Sequence, residues 1–431
     1  MGAEMLLQYL WEHRLWTIQD MVTVDGEPVA VLDPGLRNSD SGPDFFNAKL
    51  IIGGRLWAGN VEIHVRASDW YAHHHDTDHA YDSVILHVVG TSDRRVSRPD
   101  GSLIPQLVLP WTPDFRDRYD KMVADRSTVL PCGPELGAIP PVHVSDWISA
   151  LGFERLYAKA ERIAGYNERL EGDWRATAYV TLARALGFSV NGEPFERLAL
   201  STPLRILLKH RNEPLLVEAA LYGQAGFLDV NPADPDARDY VEALRRDYQF
   251  MKLKYDLEPM ERSVWKMARM RPANFPHRRL AALATMIAGG FEFGTQVTGV
   301  DGEAAARRIL EFTLGGFWVN HYTFGAASNY APRALSVDSV TSLLINAVVP
   351  LLYAFGLHYG DDRATDRAIA LLQSLAPESN SIIGVFTDAG LACPDAFTSQ
   401  ALIQLRRAYC EPRKCIYCRF GHRILAAKAR P

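Results

Sequence analysis

Apolar and polar residues alternate at helical spacing over Met5–Trp16, which predicts a first amphipathic helix. The apolar run Pro28–Leu32 predicts a strand, ended by Pro34-Gly35. Phe45–Ile52 and Leu56–Val65 have strand composition and flank Gly53-Gly54, a hairpin signal. Ser83–Val89, rich in Val, Ile and Leu, predicts another strand, and Leu103–Leu109 a further one. From Val144 onward the period changes to i, i+3, i+4. It predicts helices over Trp147–Glu168, Asp173–Leu186, Leu215–Gly223, Tyr240–Tyr255, Arg278–Ile287, Ala304–Leu314 and Val340–Phe355. The proline-rich stretch Pro131–Pro141 is the expected linker. The pattern therefore predicts an α+β N-terminal domain over 1–130 and a mostly α-helical region over 142–390. A cysteine-rich basic C-terminal segment over 391–431 is expected to pack on the body. No fixed-period repeat or low-complexity tract interrupts this order.

Composition narrows the class. The 431 residues are 48% hydrophobic and 23% charged, enough to bury a sizeable core, which excludes an intrinsically disordered chain. A formal net charge of -5 excludes a chain that is basic throughout. The N-terminus has no cationic leader before an apolar run, so no secretory signal is expected. Leu343–Leu357 is broken by Asn346 and Pro350 and is read as too short to span a bilayer. A cytoplasmic protein with no membrane partner is the expectation. Charge is unevenly spread: residues 1–90 hold 13 Asp/Glu against five Lys/Arg, and seven of the 13 histidines. The last 27 residues hold eight Lys/Arg against Glu411 alone. An acidic, histidine-rich head suits a divalent metal, and basic segments elsewhere suit phosphate.

The chemistry centres on Gly42-Pro43-Asp44-Phe45 and, 18 residues after Asp44, Glu62-Ile63-His64. Residues two apart on a strand share a face, so Glu62 and His64 point the same way. With a two-residue turn at Gly53-Gly54 and regular pairing, Glu62 opposes Phe45 and Asp44 falls on the other face. One β-bulge or a three-residue loop shifts the register and sets Asp44 opposite Glu62. Gly59 is the expected bulge site. Two carboxylates on adjacent strands are oxygen ligands suited to Mg²⁺ or Mn²⁺, and a neighbouring His64 can act as base or ligand.

Pro43-Asp44 followed by Glu62-x-His64 resembles the motif of the PD-(D/E)XK phosphodiesterases. The order helix, strand, hairpin, strand is similar to the restriction-endonuclease core. The resemblance implies a restriction-endonuclease-like mixed sheet and a metal-dependent phosphodiesterase (nuclease) acting on DNA or RNA, with Asp44, Glu62 and His64 as catalytic residues. His64 stands where that superfamily usually has Lys, and an imidazole supplies no permanent cation. This departure keeps a second expectation open: a non-catalytic nucleic-acid-binding or scaffold protein with a degraded nuclease fold. Further segments resemble, nearly end to end, the bacterial domain-of-unknown-function family 2851. They are Ser41-Gly42-Pro43-Asp44-Phe45-Phe46-Asn47-Ala48, Gly59-Asn60-Val61-Glu62-Ile63-His64, Asp69-Trp70 with His75-Asp76, Gly223-Gln224-Ala225-Gly226, Arg271-Pro272-Ala273-Asn274-Phe275-Pro276 and Ser399-Gln400-Ala401-Leu402-Ile403. That family implies no activity.

Around this core, His75 with Asp76 or Asp78 can line the same cleft, whereas His73 and His74 read as exposed loop residues and His87 as a core histidine. Arg66, two beyond His64, can touch a phosphate. Arg269, Arg271 and Arg279 can bind nucleic-acid phosphates, with Phe275 stacking on a base. Trp318, His321 and Tyr322 read as core. Finally, Cys410-x4-Cys415-x2-Cys418 has the bite of thiolate chelates. Zn²⁺ is expected there, with [4Fe-4S] as the alternative. Cys393 is the expected fourth ligand, ahead of His422 and Cys132.

Overall fold

Gly53 and Gly54 take φ of +57° and +79°, the left-handed conformations that a tight two-residue hairpin turn requires. The computed structural model describes residues 3–427 apart from 17–19, 39, 99, 110–112 and 125–128. The chain forms two compact units. Unit 1 comprises Met1–Val144 together with Arg407–Pro431, and unit 2 comprises Ser145–Arg406. The terminal segment thus divides: residues 391–406 belong to unit 2 and only the remainder joins unit 1.

Unit 1 is built on a mixed six-stranded sheet of β1 (Val29–Asp33), β2 (Leu36–Arg37), β3 (Phe45–Ile52), β4 (Arg55–Arg66), β5 (Val84–Thr91) and β6 (Gln106–Val108). The order is β1-β3-β4-β5-β6, with β2 beside β3. The hairpin β3–β4 is antiparallel, and β4–β5–β6 run parallel. Helix α1 (Ala3–Glu12) ends four residues short of the predicted Trp16. Its apolar face, Leu6, Leu7, Leu10 and Trp11, packs with Val61, Ile63, Leu86 and Val88. Strand alternation then turns Glu62, His64 and His87 to the opposite face. That face is covered by the crossover between β4 and β5, which carries α2 (Asp69–Ala72) and buries Trp70 and Tyr81 with Val84, Val96 and Ile104. The tail is embedded in unit 1 as well, since Ile416 and Leu425 lie in the same apolar core as α1.

The hairpin register carries the irregularity that the site needs, on the strand opposite the expected one. Pairing is regular from Ile52↔Arg55 to Ala48↔Gly59, then shifts so that Phe45 pairs with Val61. The extra residue is on β3, where Asn47 takes φ +56° and its amide donates to Asn60 Oδ1 at 3.2 Å. Asparagine tolerates that conformation better than most residues. Gly59 has another job: a Cβ there would lie 2.5 Å from Ile85 Cγ2 and 2.9 Å from Ser83 O. It lets β5 approach β4.

The described regular elements of unit 2 are helices. Asp173 caps Trp174–Leu186 by accepting from Arg175 N and Ala176 N, and Asp234 caps Pro235–Tyr255 through Ala237 N. The predicted helix over Ala304–Leu314 is shorter, Glu303–Arg308. Phe188–Ser201 and Asp362–Ser374 are helices that the pattern did not predict. Val337–Tyr359 is continuous through a π turn at Leu344–Val348. At 23 residues it is long and apolar enough to cross a bilayer, contrary to the sequence expectation, yet 61% of its apolar window is buried inside unit 2.

The bulge gives the first prediction. Asn47→Val should destabilise unit 1 by about 1–2 kcal/mol, the penalty of a left-handed β-branched residue, while Asn47→Gly should be tolerated. Urea unfolding followed by circular dichroism reads both. Equal midpoints for the two variants would show that the bulge is not held by this conformation.

Candidate metal centre

The register shift brings the two predicted carboxylates together. The Asp44 amide donates to Glu62 Oε2 at 3.0 Å, and the Ile63 amide donates to Asp44 Oδ2 at 3.0 Å. Each acid is thus fixed by the other's strand. Gln8 Nε2 donates to Asp44 Oδ1 at 2.8 Å, and Gln8 Oε1 accepts from Arg37 at 2.9 Å. Gln8 lies one turn beyond Glu4 on α1, so both share a helix face. Glu4 belongs to the same electrostatic group: burial, and next Asp44, raise its carboxyl above the usual range, while His73 and His75 lower it.

Two histidines lie beside Glu62, and two more lie beside His64. Glu62 Oε1 lies 3.5 Å from His64 Nε2 and 3.4 Å from His75 Nε2. His64 Nε2 is 3.1 Å from His73 Nδ1, and His64 Nδ1 is 2.8 Å from His87 Nε2. One nitrogen from each of His64, His73 and His75 lies within 4.8 Å of the others. His75 is stacked on Tyr81 at 3.8 Å between ring centroids and meets Trp70 edge-on. Glu62 is 5% exposed, His64 1% and His87 0%.

Burial sets the protonation. It pushes the Glu62 carboxyl up to about 9, with the Asp44 charge adding to the effect. Asp44 is also raised, by burial, against the Ile63 and Gln8 hydrogen bonds that favour its anion. Burial first, then His87, holds His64 down at about 2, and His87 is held at about 3. The rings of His64 and His87 are therefore neutral near pH 7. When His64 Nδ1–H donates to His87, its Nε2 turns a lone pair toward Glu62. The protonated Glu62 carboxyl can then donate to that lone pair, and a bound cation would take the proton's place, with carboxylate and imidazoles as its ligands.

Several sequence expectations change. His73 is a neighbour of His64 and no mere loop residue, although it is exposed; His74, with φ +62°, is exposed as expected. His87 is a core histidine whose bond orients His64. Arg66 is exposed on the face of β4 that carries His64 and pairs with Asp69 at 3.3 Å. Asp78 caps the turn His79–Tyr81. Arg269 and Arg271 are exposed in unit 2. Arg279 is 2% exposed, bonded to Asn274 Oδ1 and Ser339 Oγ at 3.0 Å, and it cannot reach a polynucleotide backbone. Trp318 and His321 are buried. Cys393 lies in unit 2, its Sγ 3.9 Å from Asp395 O, whereas Cys410, Cys415 and Cys418 belong to unit 1. Glu4 was missed, and the signal available was its i, i+4 spacing from Gln8 on the first helix.

A family model described as a protein of unknown function (DUF2851) matches residues 4–381, and the chain belongs to that family. No curated protein and no solved structure matches it significantly.

The buried acid fixes a pH dependence. Glu62 has a folded pKa above its ordinary value of 4.5, so its contribution to stability is full below 4.5 and is lost as pH rises toward about 9. His64 and His87 act oppositely, and only below 6.5. Metal-free protein should therefore lose stability between pH 7 and 9, and Glu62→Gln should flatten that decline. Thermal unfolding across this range in a chelating buffer checks it; parallel slopes for the two proteins would contradict it.

Proposed function

We propose that unit 1 is a divalent-metal-dependent phosphodiesterase acting on DNA or RNA. In this reading the PD-(D/E)XK-like set Asp44, Glu62 and His64 is extended by His73 and His75. The observation that carries it is the buried Glu62 carboxylate, fixed beside Asp44 and within 3.5 Å of two imidazole nitrogens. The donor set fits a cation: Asp44 and Glu62 would hold it with His64, His73 and His75. Bound there, it lowers the pKa of a water and neutralises phosphate charge. Nitrogen donors favour Mn²⁺ over Mg²⁺.

The chain's own residues do the rest. His87 fixes the ring of His64, so that Nε2 is presented to the acid. His64 is uncharged because it is buried, so it can bind a cation or accept a proton. It does not supply the lasting positive charge of a lysine. Arg66, exposed on the same face of β4, supplies that charge to a phosphate oxygen. The uncharged state of His64 also favours a second reading, a nucleic-acid-binding protein without cleavage.

Incubation with single- and double-stranded DNA and RNA separates the two. Cleavage with Mn²⁺ at least as fast as with Mg²⁺ is expected, abolished by Glu62→Ala and reduced about 10–100-fold by His87→Ala. Binding of nucleic acid without cleavage by any metal supports the second reading. Cleavage undiminished in Glu62→Ala contradicts the site.

A further inference from the structure

Unit 1 gathers a second group of metal-binding side chains, all of them thiols. Cys410 ends the π-helical segment Leu405–Cys410, and the chain then doubles back. Arg413 N donates to Cys410 O at 3.2 Å and Lys414 N to Tyr409 O at 2.8 Å, closing the turn. Cys415 follows at once, in the turn Cys415–Tyr417, and Cys418 N donates to Cys415 O at 3.3 Å. A side chain at Gly421 would overlap the Cys415 backbone, so the terminal helix Arg419–Ala427 presses on this turn. Three cysteines thus sit in one nine-residue knot, with Cys410 and Cys418 buried.

A fourth thiol comes from far away in sequence. Cys132 and Cys415 both pack against the apolar core that contains Ile416 and Leu425. Burial raises the Cys132 thiol to about 12, and Cys418 and Cys415 are the next causes. Burial raises Cys415 to about 11, with Cys418 next. The other proposed ligands are engaged elsewhere. His422 Nδ1 is 2.7 Å from Tyr9 Oη, and its ring lies against His13 at 4.4 Å. Cys393 belongs to unit 2.

We infer that Cys132, Cys410, Cys415 and Cys418 form a four-thiolate site for a [4Fe-4S] cluster, which staples the C-terminal tail to the N-terminal fold. All five cysteines are free of disulfides, so the four thiols can give up their protons to iron. Spacing favours a cluster over a single zinc ion. A tetrahedral ion with Zn–S of about 2.3 Å holds its sulfurs about 3.8 Å apart. Among the described residues no three thiols lie within 4.8 Å of one another; the group that does is the imidazole trio. In a cubane cluster each cysteine binds a different iron, so its four thiolates stand farther apart. Four thiolates also bring negative charge, and the knot is flanked by Arg413, Lys414, Arg419 and Arg423. Arg413 lowers the Cys415 thiol, opposing the burial that raises it.

The inference is independent of the proposed nuclease site and is tested without any cleavage assay. Full-length protein purified without oxygen should be brown and hold about four iron and four sulfide per chain. Cys393→Ser should leave this content unchanged, and Cys132→Ser and Cys415→Ser should each lose most of it. If those variants fail to fold, alkylation of native wild-type protein still decides: Cys393 should react, and the other four only after the cluster is removed by acid. Stoichiometric zinc in place of iron, neither metal, full iron in Cys132→Ser, or ready alkylation of Cys132 in the native protein would each overturn it.

Discussion

Two carboxylates buried side by side dominate the physics of unit 1. Among the described residues, no lysine or arginine forms an ion pair with Asp44 or Glu62; each accepts a backbone amide of the other's strand. Those amides favour the anions, and burial opposes them. For Glu62 burial wins by a wide margin, lifting the acid to about 9. Holding such a pair in place demands a fixed backbone, which the sheet supplies through the Asn47 bulge, the Gly53-Gly54 turn and the packing of α1 beneath β4. The same constraint explains the histidines. Imidazoles kept neutral by burial place lone pairs beside an acid that holds its proton, and a cation able to displace that proton would find oxygen and nitrogen ligands already gathered.

Much of this was legible in the sequence. The residues of β3 and β4 follow the alternation of apolar and polar positions, and the Gly-Gly turn fixes the register at the hairpin's tip. Regular pairing alone puts Asp44 on the wrong face, so the acid pair demands a bulge. Its place was not legible: Gly59 was the obvious candidate, yet its missing side chain serves contact with Ile85, and Asn47 takes the left-handed conformation instead. Asparagine ranks below glycine as a signal for positive φ, though it adopts it for the same steric reason.

Side-chain partnerships across elements were harder to read. His73, in a loop with three consecutive histidines, is selected by where α2 sets it down, which no local spacing encodes. Arg279 misled for a related reason. A basic run beside Pro272 and Pro276 has the composition of a phosphate-binding loop. In the folded unit the run starts the helix Pro276–Ala288, which is buried from its first residue. Arg278 is spent on the carbonyls of Trp318, His321 and Pro332, and Arg279 lies 4.5 Å over the Phe188 ring. The guanidiniums tie unit 2 together and leave little for solvent. Likewise, proximity in sequence suggested Cys393 as a partner for the terminal cysteines, yet Cys393 belongs to unit 2, while Cys132 belongs to unit 1 with Cys410, Cys415 and Cys418.

The central claim is that Asp44, Glu62, His64, His73 and His75 hold one cation. Electron paramagnetic resonance of protein loaded with Mn²⁺ tests it most directly, because the electron spin senses nitrogen nuclei bound to the ion. The account predicts one tightly bound Mn²⁺ per chain with nitrogen couplings from imidazole, both lost in Glu62→Ala. A spectrum of free aqueous Mn²⁺, or bound Mn²⁺ with oxygen ligands only, would contradict it.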